Sequence, residues 1–210
     1  MSSFLSRFSP AQLLVVAILG IGFSIGFTWW QLGSSGPRIP VERSRVMGDF
    51  AAEEIASVLK GQGSVALLVF DVEDIPMQDT LSAQLEAALP DQGIAVAGTH
   101  KVPVEGDVLN LYMIQEVGFD PEQMRAARTA FPDVDAFVSL IGVPRTWPKK
   151  TVPLMLVPHH GDADRVDGWI SSGRVAMALV AEPNRERALE LAKETDLAVW
   201  MRSYYDVRKK

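Results

Sequence analysis

The chain has 210 residues, 48% of them hydrophobic and 22% charged, a formal net charge of −6 and no cysteine. These are globular proportions, so a wholly disordered chain is excluded, and the acidic balance argues against nucleic acid as a partner. Without cysteine there is no disulfide, thiolate metal site, cysteine nucleophile or thiol-linked lipid.

Residues 11–30 read AQLLVVAILGIGFSIGFTWW and carry no charge. Roughly 20 residues at about 1.5 Å each cross a hydrocarbon core of about 30 Å. The stretch 11–32 therefore predicts one transmembrane helix, preceded by a tail of residues 1–10, with the lipid bilayer as its partner. Ser9 and Pro10 suit the N-cap and first helical position. Trp29 and Trp30 fall where an interfacial belt sits. The run is longer than the roughly 7–15 apolar residues of a signal peptide. It also ends in tryptophans rather than a small-x-small site, which favours an uncleaved signal-anchor. Gly22 and Gly26 form a G-x-x-x-G pair of the kind that lets helices approach closely.

Two rules oppose each other on sidedness. Arg38, Arg43 and Arg45 outweigh Glu42 after the span, which by the positive-inside rule favours a cytoplasmic domain. A long domain behind an N-terminal span is usually translocated. The second rule is preferred, which predicts a single-pass protein of a bacterial inner membrane with a periplasmic soluble domain.

Residues 33–46, GSSGPRIPVERSRV, lack an apolar period and read as a linker. Residues 1–46 hold four arginines and one glutamate, so residues 47–210 carry −9. A basic collar at the membrane and an acidic soluble body follow from that division.

The body, residues 47–210, alternates helix and strand signals. Residues 47–60 place Met47, Phe50, Ile55, Val58 and Leu59 on a helical stripe, closed by Gly61. SVALLVF, 64–70, is a continuous apolar run, as in a strand buried on both faces. A helix is predicted over 79–89, with Asp79 as N-cap and Pro90 as terminator, then a strand at 93–98. Residues 101–118 fit a strand or a short helix. Asp120 and Pro121 open the next helix, with Gln123 at its third position and a staple from Phe119 to Met124. Strands follow at 134–141, 152–157 and 174–181. Pro153 places the middle one at an edge or gives it an irregular start. Helices are predicted at 163–171 and 184–195, the latter capped by Asn184. The tail, WMRSYYDVRKK, ends in a short strand near 204–207, and its Trp200, Tyr204 and Tyr205 either pack back on the core, the preferred reading, or form a contact surface. This alternation predicts a three-layer, Rossmann-like α/β sandwich with a mainly parallel sheet.

Two segments, IASVLKGQGSVALLVFDVE at 55–73 and FDPEQMRAARTAFPDVDAFVSLIG at 119–142, carry a family resemblance. They resemble one lobe of the type I periplasmic sugar-binding proteins. The resemblance implies a Rossmann-like lobe. It departs from the family in offering one lobe instead of two, behind a membrane span.

In an open parallel sheet, ligands bind beyond the carboxyl ends of the strands. On this reading the loops there hold Asp71, Glu73 and Asp74, then His100, then Arg145 and Trp147, then His159, His160, Asp162 and Asp164. Asp71, Asp74, His100, Arg145, Trp147 and His159 are the candidate ligand-binding residues. His159, His160 and Asp162 are candidate metal ligands, since imidazole and carboxylate suit zinc, manganese or iron. No G-x-G-x-x-G, Walker or G-x-S-x-G pattern occurs, so no catalytic residue and no cofactor is assigned. The expected function is a membrane-anchored, non-catalytic binding or interaction module. It would be an accessory subunit of a cell-envelope complex, with a protein partner or a second copy of itself. The alternatives are a tethered metal-assisted hydrolase and a one-lobe sensor of a small, sugar-like molecule.

Overall fold

A computed structural model describes residues 41–72, 75–104, 118–148, 152–160, 162–182, 184–191 and 193–210. They belong to one compact unit, Pro40–Lys210. The predicted tail, span and start of the linker lie outside the described residues. Among the described residues no helix is long and apolar enough to cross a membrane.

The first helix, α1, runs Val41–Leu59. It begins inside the stretch read as linker, because Ser44 and Met47 are fully buried and extend the inward stripe by a turn. Strand β1, Ser64–Asp71, is buried along nearly its whole length, as its apolar run predicts. Helix α2, Pro76–Asp91, starts earlier than expected: Pro76 opens it, and Asp79 sits in the first turn instead of capping it. Pro90 lies inside its last turn, where the chain bends into Gly93 without losing the helix.

Strand β2, Ala95–Pro103, runs beyond the predicted 93–98. Its pairing with β1 steps from Val65↔Val96 to Ala66↔Gly98, a bulge that leaves Ala97 unpaired. Residues 105–117, which cover most of the ambiguous segment, lie outside the described residues. Helix α3, Pro121–Ala130, has the predicted cap: the Asp120 carboxylate accepts from Glu122 N. Phe119 and Met124 are both buried in one cluster, so the staple closes. Asp120→Ala is expected to destabilise the domain by about 1 kcal/mol, read from the urea midpoint.

The remaining elements are β3 (Ala136–Ser139), β4 (Leu154–His159), α4 (Ala163–Ser171) and β5 (Val175–Ala181), followed by α5 (Arg185–Leu191), α6 (Leu197–Tyr204) and β6 (Tyr205–Lys209). Asn184 caps α5 through bonds from Glu186 N and Arg187 N, as expected. Helix α6 differs from the expected tail: the aromatic stretch folds as a helix before its strand, capped by Asp196.

The six strands are ordered β2-β1-β3-β4-β5-β6, parallel except for β6. Strand β4 is thus interior, a correction to the edge placement. Pro153 precedes the strand, so its missing N–H costs the ladder nothing. Alternating strand residues divide two cores. Val65, Leu67, Val138, Met155 and Leu179 pack with α1, α2 and α6. Ala66, Leu68, Phe137, Leu156 and Val180 pack with α3 and α4 on the other face. This is the expected three-layer Rossmann-like sandwich, with the chain reversing direction across the sheet between β1 and β3.

Candidate functional site

The reversal point is the usual ligand crevice of such a sheet. Here it is filled by the protein's own groups. Leu68 O accepts from Leu140 N, so that side of β1 faces β3. Phe70, two residues on, points the same way, beyond the last β3 pairing. The buried Gln78 side chain of α2 replaces the missing strand: Phe70 N donates to its Oε1 at 2.8 Å, and its Nε2 donates to Phe70 O at 3.1 Å. On the β3 side, the buried Ser139 hydroxyl donates to Gly142 O at 2.6 Å.

The candidate ligand residues do not gather there. Asp71 ends β1, exposed, with the Lys101 ammonium 4.0 Å away. Such an exposed pair contributes little. Asp74, like Glu73, lies outside the described residues. His100 is not in a loop after β2 but inside it, opposite Leu68 on the α3 face, because the strand continues past the predicted end. Its Nε2 is buried without a hydrogen-bond partner among the described residues. Arg145 is structural: its N donates to Phe119 O and its Nε to Gly118 O, tying the start of α3 to the loop after β3. A side chain on Gly118 would meet Val143 O at 2.7 Å, so this close approach needs glycine.

Trp147 and His159 do come together, on either side of Trp169 of α4. The Trp147 and Trp169 rings lie 6.2 Å apart and the His159 and Trp169 rings 5.7 Å, the latter edge-on. Arg174 stands over Trp147 and Arg165 over Trp169. His159 is 5% exposed. Burial lowers its pKa to about 4, with the nearby charges of His160 and Arg165 adding to the effect and Asp162 opposing it. It is a neutral imidazole at physiological pH. His100 and His159 share the α3/α4 face but stand on β2 and β4, separated by β1 and β3. Three strand spacings of roughly 4.8 Å keep them out of one crevice.

The metal set does not converge. His159 turns onto Trp169, whereas His160 turns onto Tyr205, ring centroids 6.5 Å apart. Adjacent residues at a strand end point to opposite faces. The Asp162 carboxylate is used as the α4 N-cap, accepting from Asp164 N at 2.9 Å. Among the described residues no group of three His, Asp or Glu side chains is placed to hold a metal ion.

A different feature lies at the same carboxyl edge. A groove of about 330 Å³ opens beyond β5 and β6, walled by Glu182, Arg187, Arg202, Tyr205, Asp206 and Arg208. Chain reversal builds it. Strand β6 returns antiparallel beside β5, with Ala181 opposite Tyr205, and Glu182 N donates to Tyr204 O at 2.8 Å. Alternation turns Tyr205 into the α1/α6 core and Asp206 and Arg208 toward α4. Arg187 Nε lies 3.3 Å from Glu182. Arg208 bridges Asp206 at 2.6 Å and Asp167 of α4 at 3.0 Å. Burial, reinforced by Tyr204, pushes the Tyr205 hydroxyl far above its usual pKa and keeps it protonated. A larger hollow of about 420 Å³ along Arg187, Glu190 and Lys193 belongs to one short stretch of chain. The groove instead draws on α4, β5, α5, α6 and β6, and lies where the sheet places ligands. The carboxyl-edge rule, carried on to β5, points to Glu182. The arginines carry no sequence signal, because the return of β6 assembles them.

The sequence matches no protein-family model and no curated protein. Solved structures do match. One is a solute-binding protein of an ABC transporter from Burkholderia graminis, in complex with D-arabinose, at TM-score 0.51 and 16% identity. The fold resembles that of the periplasmic sugar-binding proteins. A second match is GanP, a glucose-galactose binding protein from Geobacillus stearothermophilus, at TM-score 0.51 and 15% identity. The matches cover 80% and 79% of this chain. The chain spans about 60% of the length of either protein. At these identities the likeness is one of fold, and it agrees with the resemblance of segments 55–73 and 119–142 to a lobe of that family.

Proposed function

We propose that this chain is a membrane-anchored, non-catalytic binding module. A single lobe of sugar-binding-protein fold takes a small polar, sugar-like ligand and serves as an extracytoplasmic sensor or accessory subunit of an envelope complex. The anchor is residues 11–32, supported by their length and lack of charge. One observation carries the binding role: the groove beyond β5 and β6 is a hollow of about 330 Å³ at the carboxyl edge, of mixed lining and rimmed with charged side chains. That is the small end of the roughly 300–1,000 Å³ range of ligand pockets. The sugars bound by the structurally similar proteins support the choice of ligand. The divergence of His159 and His160 disfavours the metal-assisted hydrolase.

The test is thermal unfolding of the detergent-solubilised full chain against a panel of aldoses, hexoses and their acids. A ligand that binds only the folded state raises Tm, by an amount equivalent to about 2.7 kcal/mol at a hundredfold excess over Kd. A rise for at least one member is expected. A Tm that no member of the panel moves contradicts the binding role.

A further inference from the structure

We propose that the groove beyond β5 and β6 selects a small hydroxylated carboxylate, a sugar acid, by its single negative charge. This rests on the reading of the chain as a sugar-binding module and adds the charge of the ligand.

Three guanidinium groups line the groove with the Glu182 and Asp206 carboxylates, and Asp167 behind Arg208 brings the charges level, so the site turns on which arginine is left unpaired. The three arginines are not equivalent. Arg208 is committed, its Nε to Asp206 and its Nη1 to Asp167. It ties β6 to α4 and has little left to offer. Arg187 lines the groove with its Nε 3.3 Å from Glu182, an ion pair that solvent screens because the arginine is exposed. Arg202, in the last turn of α6, has no ion-pair partner among the described residues. A guanidinium fork matches a carboxylate in geometry and charge.

The α4 end that lines the groove sets an upper limit on the ligand's charge. Ala163, the first residue of the nine-residue α4, lines the groove, and that helix end carries partial positive charge. The Asp162 and Asp164 carboxylates sit at the same end. They balance the helix dipole and oppose a dianion. One carboxylate matches Arg202, the one groove guanidinium without an ion-pair partner among the described residues, whereas a phosphate monoester with nearly two charges meets added repulsion from Asp162 and Asp164. The rest of the ligand must be polar, because an apolar frame would strip water from Glu182 and Asp206 without replacing it. Ser203 and the free lone pairs of those two carboxylates offer partners to hydroxyl groups.

The experiment is calorimetric titration of the detergent-solubilised full chain and its Arg202→Gln and Arg187→Gln variants. The probes are glucuronate, galacturonate and gluconate, with glucose, galactose and glucose 6-phosphate for comparison. At least one acid is expected to bind about tenfold or more tightly than its neutral counterpart and than the phosphate. The preference is expected to collapse in Arg202→Gln and to weaken in 0.5 M salt. Both arginines are exposed, and unchanged Tm values in the variants would show that loss of binding is local. Equal binding of acids and neutral sugars, or a preference that survives both substitutions, overturns the proposal and leaves the sugar-binding reading standing. Tighter binding of the phosphate overturns the charge assignment alone. No binding by any probe overturns both.

Discussion

Replacing Gln78 with leucine is expected to destabilise the domain by about 2–4 kcal/mol, because it leaves two buried backbone groups of Phe70 without partners. The volume change is small, so the loss reports hydrogen bonding more than packing. Among the described residues no strand pairs with β1 on the β3 side beyond Leu68, and the Gln78 amide satisfies both groups there. Gln78→Glu separates the two bonds. A carboxylate still accepts from Phe70 N but cannot donate to Phe70 O. Its ionised form is also costly at a position 7% exposed. Urea denaturation checks both variants. A midpoint shift equivalent to under about 0.5 kcal/mol for Gln78→Leu, the range of an ordinary surface substitution, would mean that water serves the crevice equally well and that it is open to ligands.

The second large effect is a loss of stability on acidification. His159 has its pKa lowered from 6.5 to about 4 by burial against Trp169. Above pH 6.5 the imidazole is neutral in both folded and unfolded chains and contributes no pH dependence. Between pH 6.5 and 4 the unfolded chain takes up the proton and the folded one does not, so stability falls as pH falls. The total reaches about 3 kcal/mol by pH 4. His159→Phe keeps an aromatic edge on Trp169 and removes the titration. Its stability is expected to decline less over this interval than that of the wild type, by about the same amount. Parallel stability curves for the two proteins would show that His159 is hydrated enough to protonate in place.

The layers were legible because their signals are local. The unbroken apolar run of β1 requires burial on both faces, and Asp120-Pro121 sets a helix start wherever the chain packs. Boundaries failed where tertiary contacts override local signals. Pro90 sits inside the last turn of α2, and α1 begins early because buried Ser44 extends its inward face. Residue placement at the rim failed for a related reason. The β2 signal fades at Gly98, which places His100 in a loop. A bulge carries the strand past that glycine and turns the imidazole onto the α3 face. The groove was the least legible feature. Glu182, Arg187, Arg202 and Arg208 stand on the loop after β5 and on α5, α6 and β6, and only the antiparallel return of β6 places them around one hollow.

The central claim is that ligand binding occurs beyond β5 and β6 and not at the β1/β3 reversal. Backbone hydrogen exchange of the full chain, with and without a saturating amount of the tightest-binding sugar or sugar acid, tests it most directly. Bound ligand is expected to slow exchange at Glu182 to Ala188 and at Met201 to Arg208, leaving Asp71, Val72 and Leu140 to Val143 unchanged. Slowed exchange confined to the ends of β1 and β3, with the β5–β6 rim unaffected, would contradict it.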